Sequence, residues 1–404
     1  MNSGDIAFML VATALVMLMT PGLALFYSGL VRSKNVLATT MQSFISLGLV
    51  TIIWVAFGYS LAFGPDIGKV IGGLDWVGLN GVGLTAGPYA ATIPHLLFCA
   101  FQLMFAIITP ALITGAFAER MKFSAFILFT VLWSILVYLP ICHWVWGGGW
   151  LGAMGALDFA GGTVIHINSG AAALVAALVI GKRKGYGKES FHPHNLPMTI
   201  LGAGVLWFGW FGFNAGSALV AGELSSLAFF TTHVATATAA LSWLVAEWKI
   251  QGKPTTLGAA SGALAGLVAI TPAAGFVGPL PAMFIGLVAG ALCYLAVLAK
   301  GKLGYDDALD VVGVHGVGGI WGALATGLFA STVWNPAGRN GLFFGNAGQL
   351  GVQAIGVVAA VAYSMVITYI ILKVIDAMVG LRVTEEEETQ GLDLTQHSET
   401  GYSF

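Results

Sequence analysis

The sequence contains Leu157-Asp158-Phe159-Ala160-Gly161-Gly162-Thr163-Val164-Ile165-His166-Ile167-Asn168-Ser169-Gly170, in which an acid and a histidine lie among apolar and small residues. A second stretch, Asp310-Val311-Val312-Gly313-Val314-His315-Gly316-Val317-Gly318-Gly319, repeats the pattern. Both histidines open a His-x-x-x-Gly pattern, which ends at Gly170 and at Gly319. An ionisable side chain at bilayer depth is costly and marks a functional site by default. Two of them at matching places predict a pathway built from two related halves.

The composition is that of a membrane protein. Of the 404 residues 57% are hydrophobic and only 8% are charged, whereas a soluble domain carries about 25% charged residues. The formal net charge of -2 and the absence of a clustered basic face predict no binding of nucleic acid. Cys99, Cys142 and Cys293 lie in apolar surroundings without metal-ligand spacing, so we expect neither a disulfide framework nor a metal site.

Eleven apolar runs are long enough to span a bilayer, which takes about 20 residues in a helix. They lie near residues 6–31, 39–63, 94–117, 123–144, 163–181, 196–220, 226–249, 256–274, 279–299, 309–333 and 347–375. We therefore predict an all-α integral membrane protein with eleven transmembrane helices. Two halves of five helices would run in opposite directions because five is odd, which gives an inverted 5+5 repeat plus one extra helix. His166 and His315 would then meet near the centre of the bundle.

The basic residues predict the orientation, because cytoplasmic loops carry an excess of lysine and arginine. Lys69 and Arg339 fall on one side of the predicted membrane. Fourteen others fall on the opposite side, namely Arg32, Lys34, Arg120, Lys122, Lys182, Arg183, Lys184, Lys188, Lys249, Lys253, Lys300, Lys302, Lys373 and Arg382. We expect a multi-pass protein of the cytoplasmic (inner) membrane with its N-terminus outside. The predicted transmembrane domain comprises residues 1–381, and a cytoplasmic tail comprises residues 382–404.

The connections between the predicted membrane helices are short, which argues against classes of transporter that need a large soluble domain. The sequence has no Gly-x-x-x-x-Gly-Lys-Ser/Thr phosphate loop and no soluble domain large enough for a nucleotide, so it does not predict an ATP-driven pump. The tail contains the acidic run Glu385-Glu386-Glu387-Glu388. Such a run is usually a solvated, disordered segment, and docking of a partner is the alternative that the sequence leaves open.

Three further stretches are rich in aromatic residues: Phe101-Gln102-Leu103-Met104-Phe105, Trp144-Val145-Trp146-Gly147-Gly148-Gly149-Trp150, and Trp207-Phe208-Gly209-Trp210-Phe211-Gly212-Phe213-Asn214-Ala215-Gly216-Ser217. Aromatic residues at the ends of membrane helices usually anchor them at the interface. That explanation fits Phe105 and Phe213 less well, because they lie within spans that must also approach the two histidines.

Together with the histidine stretches, these sequences resemble the ammonium transporter family (Amt/Mep/Rhesus), in particular its bacterial and archaeal ammonium-transporter branch. The resemblance covers nearly the whole chain, from Pro21-Gly22 to the tail. It implies an outer recruitment site for the cation lined by Phe105, Trp146 and Ser217. It also implies a gate formed by the stacked rings of Phe105 and Phe213.

Below the gate, the resemblance implies a narrow apolar pore with the facing pair His166 and His315. Asp158 would lie beside the recruitment site, where it either binds the cation or caps the start of the fifth span; we favour capping. The resemblance further implies a homotrimer and a PII-type signal protein that docks on the cytoplasmic face. It implies no cofactor and no enzymatic activity.

The chemistry of such a site explains its selectivity. A cation over an aromatic face gains about 2 kcal/mol when desolvated. Moving an ammonium-sized ion into an apolar medium costs on the order of 20 kcal/mol in the idealised Born estimate. We therefore expect ammonium or methylammonium to lose its proton near the cage and to cross as the neutral amine. Potassium has no proton to lose and would be rejected.

Two other functions are compatible with the residues. The same scaffold could act as an ammonium sensor with little flux, or Ser169 and His315 could form an intramembrane hydrolase, although no oxyanion site or orienting acid is evident. His192 and His194 are predicted to be surface residues. The sequence suggests no role for His95, His143, His233 or His397.

Overall fold

The computed structural model describes residues 1–403 and is almost entirely helical. Within that range, ten helical segments are long and apolar enough to cross a membrane, and one shorter apolar helix lies between the seventh and the eighth of them. We number these eleven segments as spans 1 to 11: Ser3–Leu30, Ser33–Phe63, His95–Phe117, Phe123–Met154, Gly162–Ile180, Leu196–Gly216, Glu223–Gln251, Thr256–Ile270, Pro279–Leu303, Val312–Phe329 and Ala347–Val379. The predicted all-α fold with eleven membrane segments is confirmed.

Span 8 is shorter than the sequence predicts. Its 15 residues make about 22 Å of helix, less than the roughly 30 Å of the hydrocarbon core. The helix ends before Pro272, because proline removes a helical hydrogen bond and clashes with the preceding turn. The carbonyl of Pro272 instead accepts a hydrogen bond from the Phe159 N–H, so this end of the span is joined to the loop before span 5.

Four spans contain a π-helical turn, a local widening that is frequent at functional sites. In spans 2 and 4 the turns are Trp54–Gly58 and Ser134–Tyr138. In spans 5 and 10 they are Gly162–Ile167 and Val312–Val317, and these two turns carry the paired histidines. The α-helical parts of these four spans are Val36–Ile53, Tyr59–Phe63, Phe123–Trp133, Leu139–Val145, Trp150–Met154, Asn168–Ile180 and Gly318–Phe329.

The two ends of the bundle differ in structure. One end, here named the hairpin face, carries two small antiparallel hairpins, in which Asp66–Ile67 pairs with Ile71–Gly72 and Ala86–Gly87 pairs with Ala90–Pro94. The 3₁₀ turns Val77–Leu79 and Leu342–Phe344 are also present, and a third such turn, Ser33–Asn35, begins span 2. The opposite end, named the tail face, carries the two short helices Glu385–Gln390 and Leu392–His397.

The spans pack as an inverted repeat. Span 1 lies against span 6 along its length, and the histidine-bearing turns of spans 5 and 10 contact each other. Span 1 begins at the hairpin face, where the Asn2 N–H donates to the Thr92 carbonyl. Span 6 begins at the opposite end, where the His194 N–H donates to the Val31 carbonyl that follows span 1. Equivalent helices of the two halves therefore run in opposite directions.

The acidic run of the tail is folded against its own chain. Glu388 is 1% exposed, accepts a hydrogen bond from the Lys184 N–H at 2.7 Å and pairs with Arg382 at 2.6 Å. Thr384 caps the short helix by accepting from the Glu387 N–H. The interpretation of the run as a solvated segment was wrong for Glu388, because one face of this helix meets basic groups of the tail face.

A buried ion network joins several spans at the tail face. Glu119 is 2% exposed and accepts hydrogen bonds from Arg32, Asn35 and Arg183. Burial raises the pKa of this carboxyl, but the charges of Arg183 and Arg32 outweigh burial and hold the pKa below its usual value. Arg183 also forms a two-pronged contact with Asp306. The network fixes the ends of spans 1, 3, 5 and 9 relative to each other.

Candidate substrate pathway

A cavity of about 270 Å³ lies at the hairpin face, above the centre of the bundle. It contains all three residues of the predicted recruitment site, and its wall is mostly aromatic: Phe63, Tyr89, Phe98, Gln102, Phe105, Val145, Trp146, Phe159, Ser217 and Leu219. The indole of Trp146 donates to the carbonyl of Asp158 at 2.9 Å, which fixes its ring beside Phe105. The ring centroids of Phe105 and Trp146 are 6.0 Å apart and nearly perpendicular. Such a cavity offers π-faces to a cation.

Two polar side chains, Ser217 and Gln102, belong to this wall. The Ser217 hydroxyl donates to the Phe213 carbonyl at 2.8 Å, so its proton is used and its oxygen lone pairs remain for a donor. The Oε1 atom of Gln102 is buried and has no hydrogen-bond partner in residues 1–403. Sequence analysis assigned no role to Gln102. The sequence feature that could have indicated a role for Gln102 is a polar side chain inside an apolar span, three residues before Phe105.

Below the cavity, two rings close the path. Phe105 and Phe213 are each 1% exposed, and their centroids lie 4.4 Å apart with an interplanar angle of 33°. The ring of Phe213 is in turn 6.1 Å from that of His166. The structure thus brings the two predicted gate residues together between the recruitment cavity and the histidines.

The two histidines face each other directly. The Nδ1 atoms of His166 and His315 are 3.1 Å apart, which is a hydrogen-bond distance, so one nitrogen donates and the other accepts. The helices can approach this closely because Gly170 packs on Gly316: a Cβ atom at Gly170 would lie 2.3 Å from the Cα atom of Gly316. The indole of Trp210 stacks on His166 at 5.3 Å, a contact that sequence analysis did not assign.

A small enclosed cavity lies beside the histidine pair. Its volume is about 20 Å³, close to the minimum of roughly 10–15 Å³ that a single water molecule requires. Its wall is apolar except for the two imidazoles and the Tyr27 and Trp210 side chains. The Nε2 atom of His166 is buried and lacks a hydrogen-bond partner in the part of the chain that the structure describes. The cavity therefore has room for one small solute and offers it a polar nitrogen, but it has no room for a hydrated ion.

Asp158 directs its carboxylate at the backbone of span 5. Oδ1 accepts from the N–H groups of Gly161 and Gly162 at 3.0 and 2.6 Å, and Oδ2 accepts from those of Thr163 and Val164 at 2.9 and 3.0 Å. These are the N–H groups that the start of a helix leaves without partners. With four such contacts, the geometry favours a capping role.

A second carboxylate has the equivalent place in span 10. Asp307 is fully buried, and its Oδ2 accepts from the Val312 N–H at 2.7 Å. Its Oδ1 has no partner among residues 1–403. Burial raises the pKa of Asp307 to about 6. Sequence analysis did not assign this residue, although it precedes His315 by the same eight positions that separate Asp158 from His166.

Other polar residues singled out from the sequence lie elsewhere. The Ser169 hydroxyl donates to the Ile165 carbonyl of its own helix at 2.6 Å, so it is not paired with His315 as a nucleophile would be. His192 bonds to Ser190 near the surface, as predicted. His194 is partly exposed, as expected for a surface residue, and it also contacts the Val31 carbonyl and the Tyr402 hydroxyl.

Comparison with known proteins shows which family the chain is similar to. The model of the Ammonium Transporter Family matches residues 7–402. An ammonium transporter of Bacillus subtilis is 56% identical, with 100% of this chain and 99% of that protein covered. The ammonium transporter Amt1 of Archaeoglobus fulgidus is 50% identical over the full length of both chains.

Solved structures show the same fold. The crystal structure of Saccharomyces cerevisiae Mep2 superposes with a TM-score of 0.89 at 38% identity, over 95% of this chain and 91% of that one. A structure described as a sensor Amt protein superposes with a TM-score of 0.90 at 31% identity, over 98% of both chains. The relatives are transporters and not enzymes. From the fold, the paired histidines and the match over nearly its whole length, the chain belongs to the ammonium transporter family.

Proposed function

We propose that the protein transports ammonium across the cytoplasmic membrane, with ammonium and methylammonium as substrates. The cation is concentrated in the recruitment cavity by the faces of Phe105 and Trp146 and by hydrogen bonds to Ser217. It loses its proton near this cavity, passes the rings of Phe105 and Phe213 as neutral amine and continues past His166 and His315. The proton takes a separate route.

The small cavity beside the histidine pair carries this proposal. Its volume of about 20 Å³ leaves no space for the hydration shell of a cation. Stripping that shell in an apolar medium costs several kcal/mol even after the protein relaxes, which the gain of about 2 kcal/mol from an aromatic face does not offset. A neutral amine pays no such penalty. It also finds a hydrogen-bonding partner in the unpaired Nε2 of His166.

Currents on a solid-supported membrane test this mechanism. Ammonium, methylammonium and potassium are applied in turn to liposomes with the wild type, His166→Ala or His315→Ala. We expect a response of the wild type to the first two ions and none to potassium. Each histidine variant should lose flux or selectivity, because it leaves the other imidazole unpaired. A wild-type response to potassium equal to that to ammonium would overturn deprotonation.

A sensor on the same scaffold is the second candidate, supported by the superposition with the sensor Amt protein. The same experiment separates the two functions. A wild type that binds methylammonium but produces neither current nor uptake of labelled methylammonium would favour the sensor.

The orientation follows from the basic residues. Lys69 contacts Gly148 and Arg339 lies against Gly155, both at the hairpin face, whereas Arg32, Arg183 and the other basic residues of the ion network lie at the tail face. We therefore assign the hairpin face and the N-terminus to the outside, and the tail of residues 382–404 to the cytoplasm, with residues 1–381 as the transmembrane domain. Labelling of single cysteines introduced at Asp75 and Glu386 in intact cells tests this assignment.

Membership of the family also supports a homotrimer and the docking of a PII-type signal protein on the tail face. Spans 1, 7 and 9 expose large apolar side chains such as Leu10, Phe230 and Met283, which lipid or a neighbouring subunit would cover. Mass measurement of the detergent-solubilised protein tests the trimer. Co-purification with a PII protein, with a chain truncated after Leu381 as control, tests the partner.

A further inference from the structure

The recruitment cavity is backed by two segments that are joined at the hairpin face. These segments, residues 62–70 and 143–150, are here named the clasp. The Trp144 indole donates to the Val70 carbonyl at 2.9 Å, and the Trp150 N–H donates to the Lys69 carbonyl at 3.0 Å. The segments approach so closely at Gly147 that a Cβ atom there would lie 2.0 Å from the Ala62 carbonyl oxygen. Because Trp146 belongs to the clasp, these contacts determine where one wall of the cavity lies.

His143 lies at the centre of the clasp and is fully buried. Its Nδ1 is 2.9 Å from the Ala62 carbonyl oxygen, and its Nε2 is 2.9 Å from Oδ1 of Asp66. A carbonyl oxygen and an ionised carboxylate can only accept hydrogen bonds. A neutral imidazole has one N–H and can serve only one of them. Both contacts are satisfied together only when the ring carries two protons and is an imidazolium.

The neighbouring groups support this charge state. The hydrogen bond with His143 lowers the pKa of Asp66 from its usual value, which keeps the carboxylate ionised. Lys69 approaches the other oxygen of Asp66 at 3.5 Å and donates to the Gly148 carbonyl. The Tyr89 hydroxyl donates to the carbonyls of Phe63 and Gly147. On the same span as His143, Tyr138 and Cys142 are buried, and Asp158 uses its carboxylate for the backbone N–H groups of span 5.

We infer that His143 is a positioning residue for the recruitment cavity, which as a buried imidazolium joins Ala62 to Asp66 and thereby holds Trp146 in place. The inference rests on the proposed function. The backbone connects the two residues: the Trp146 N–H donates to the Cys142 carbonyl, and the Gly147 N–H donates to the carbonyl of His143 itself. When the ring loses one proton, one nitrogen lone pair faces an oxygen acceptor at 2.9 Å, either the Ala62 carbonyl or the Asp66 carboxylate. This contact is repulsive and opens the clasp.

The pH dependence of methylammonium uptake tests this inference. Uptake into proteoliposomes is measured at pH 5.5 and at pH 9 with equal pH on both sides. For the wild type we expect KM to rise about three- to tenfold with pH at constant Vmax, the size expected for one lost hydrogen bond. The single amide nitrogen of His143→Gln cannot lie at the positions of both ring nitrogens, so this variant does not join Ala62 to Asp66 as the imidazolium does, and its KM should be high at both values.

Asp66→Asn gives the sharper comparison. Its carboxamide can donate an N–H to the neutral ring, so the clasp no longer needs an imidazolium and KM should stay low at both pH values. Asp75→Asn makes the same change at an exposed carboxylate of the same face and should keep the wild-type rise. A rise in Asp66→Asn equal to that of the wild type would overturn the inference.

The charge of the ring can also be read without transport. The ¹⁵N spectrum of histidine-labelled protein should contain an imidazolium signal at pH 5.5 that is absent from His143→Gln and becomes neutral in the wild type at pH 9. A neutral His143 at pH 5.5 would refute the inference. If the wild type showed no uptake at all, the proposed function would fail, while this spectrum would still report whether His143 is charged.

Discussion

Asp158 and Asp307 have the same relation to the two pore histidines: each carboxylate lies eight residues before a histidine and accepts from the backbone of the π-helical turn that carries it. They lie at opposite ends of the bundle because the two halves are inverted. Their environments differ in one respect. Asp158 uses both oxygens for four N–H groups, whereas Asp307 uses only Oδ2 among the described residues.

This difference predicts unequal effects of asparagine. In Asp158→Asn, an NH₂ group replaces one oxygen and faces two N–H donors, each of which loses a partner at a cost of about 1–3 kcal/mol. In Asp307→Asn, the remaining oxygen can still accept from Val312. We expect the melting temperature in detergent to fall much further in Asp158→Asn than in Asp307→Asn. Similar melting temperatures for the two variants would contradict the capping role of Asp158.

The contact between Gly170 and Gly316 predicts a strong effect of one methyl group. In Gly170→Ala, the new Cβ would lie 2.3 Å from both the Cα and the N atom of Gly316, and backbone cannot move aside as a flexible side chain can. The helices must separate, which lengthens the 3.1 Å distance between the histidines. We expect loss of methylammonium uptake and a lower melting temperature.

Gly48→Ala is the matched control for this change. It also replaces a helical glycine in a membrane span, but its Cβ would meet nothing within 4 Å. Because alanine is the better helix former by about 1 kcal/mol, this variant should be as stable as the wild type or more stable. Equal behaviour of the two variants would mean that the close approach of Gly170 does not position the pair.

The sequence predicts the spans well because each is a long apolar run whose environment is set by the bilayer and not by a distant contact. It also predicts the pairing of His166 and His315, because both lie in the same pattern at matching places of two halves, whereas the role of Phe105 in the candidate pathway follows only from the family resemblance. No role was predicted for Gln102 or His143, because each depends on residues far away in sequence. Gln102 lines a cavity formed by several spans, and His143 pairs with the Asp66 carboxylate 77 positions earlier. The burial of Glu388 was also not predicted, because it depends on Lys184, which lies far away in sequence, and on Arg382. A run of four acidic residues is solvated unless other parts of the chain supply such basic partners.

Gln102 is predicted to contribute to cation binding. Gln102 lines the recruitment cavity, and a small rotation of its side chain would allow the buried, unpaired Oε1 to accept a hydrogen bond from an ammonium N–H; hydrogen bonds to charged groups contribute about 1.5–3 kcal/mol. We therefore expect KM for methylammonium to rise about 10- to 100-fold in Gln102→Leu, with a smaller change in Vmax. The control is Gln42→Leu, because Oε1 of Gln42 is likewise buried and unpaired in residues 1–403 but does not line the cavity. An unchanged KM in Gln102→Leu would remove this residue from the site.

The lowered pKa of Glu119 predicts how the stability of the protein depends on pH. The pKa of its carboxyl is held below the usual value of 4.5, since the charges of Arg183 and Arg32 outweigh the effect of burial. A carboxyl with a lowered folded-state pKa stabilises the protein fully above its unfolded pKa, and this stabilisation is lost as the pH falls through the folded value. In Glu119→Gln, Arg32 and Arg183 lose the negative charge with which both are paired. Removing one partner of a buried ion pair lowers the free energy of unfolding by about 3–5 kcal/mol.

The melting temperature of Glu119→Gln should therefore lie well below that of the wild type at pH 7. The two should begin to converge below about 4.5, the usual pKa of the unfolded carboxyl, and continue to do so as the pH falls through the lower pKa of the folded protein. Glu386→Gln removes an exposed carboxylate of the tail and should follow the wild type at every pH. A difference between Glu119→Gln and the wild type that stayed constant down to pH 3 would show that the charge of Glu119 does not stabilise the tail face. Packing between the side chains would then hold the ends of spans 1, 3, 5 and 9 together, and the ion pairs of Glu119 with Arg32 and Arg183 would contribute nothing.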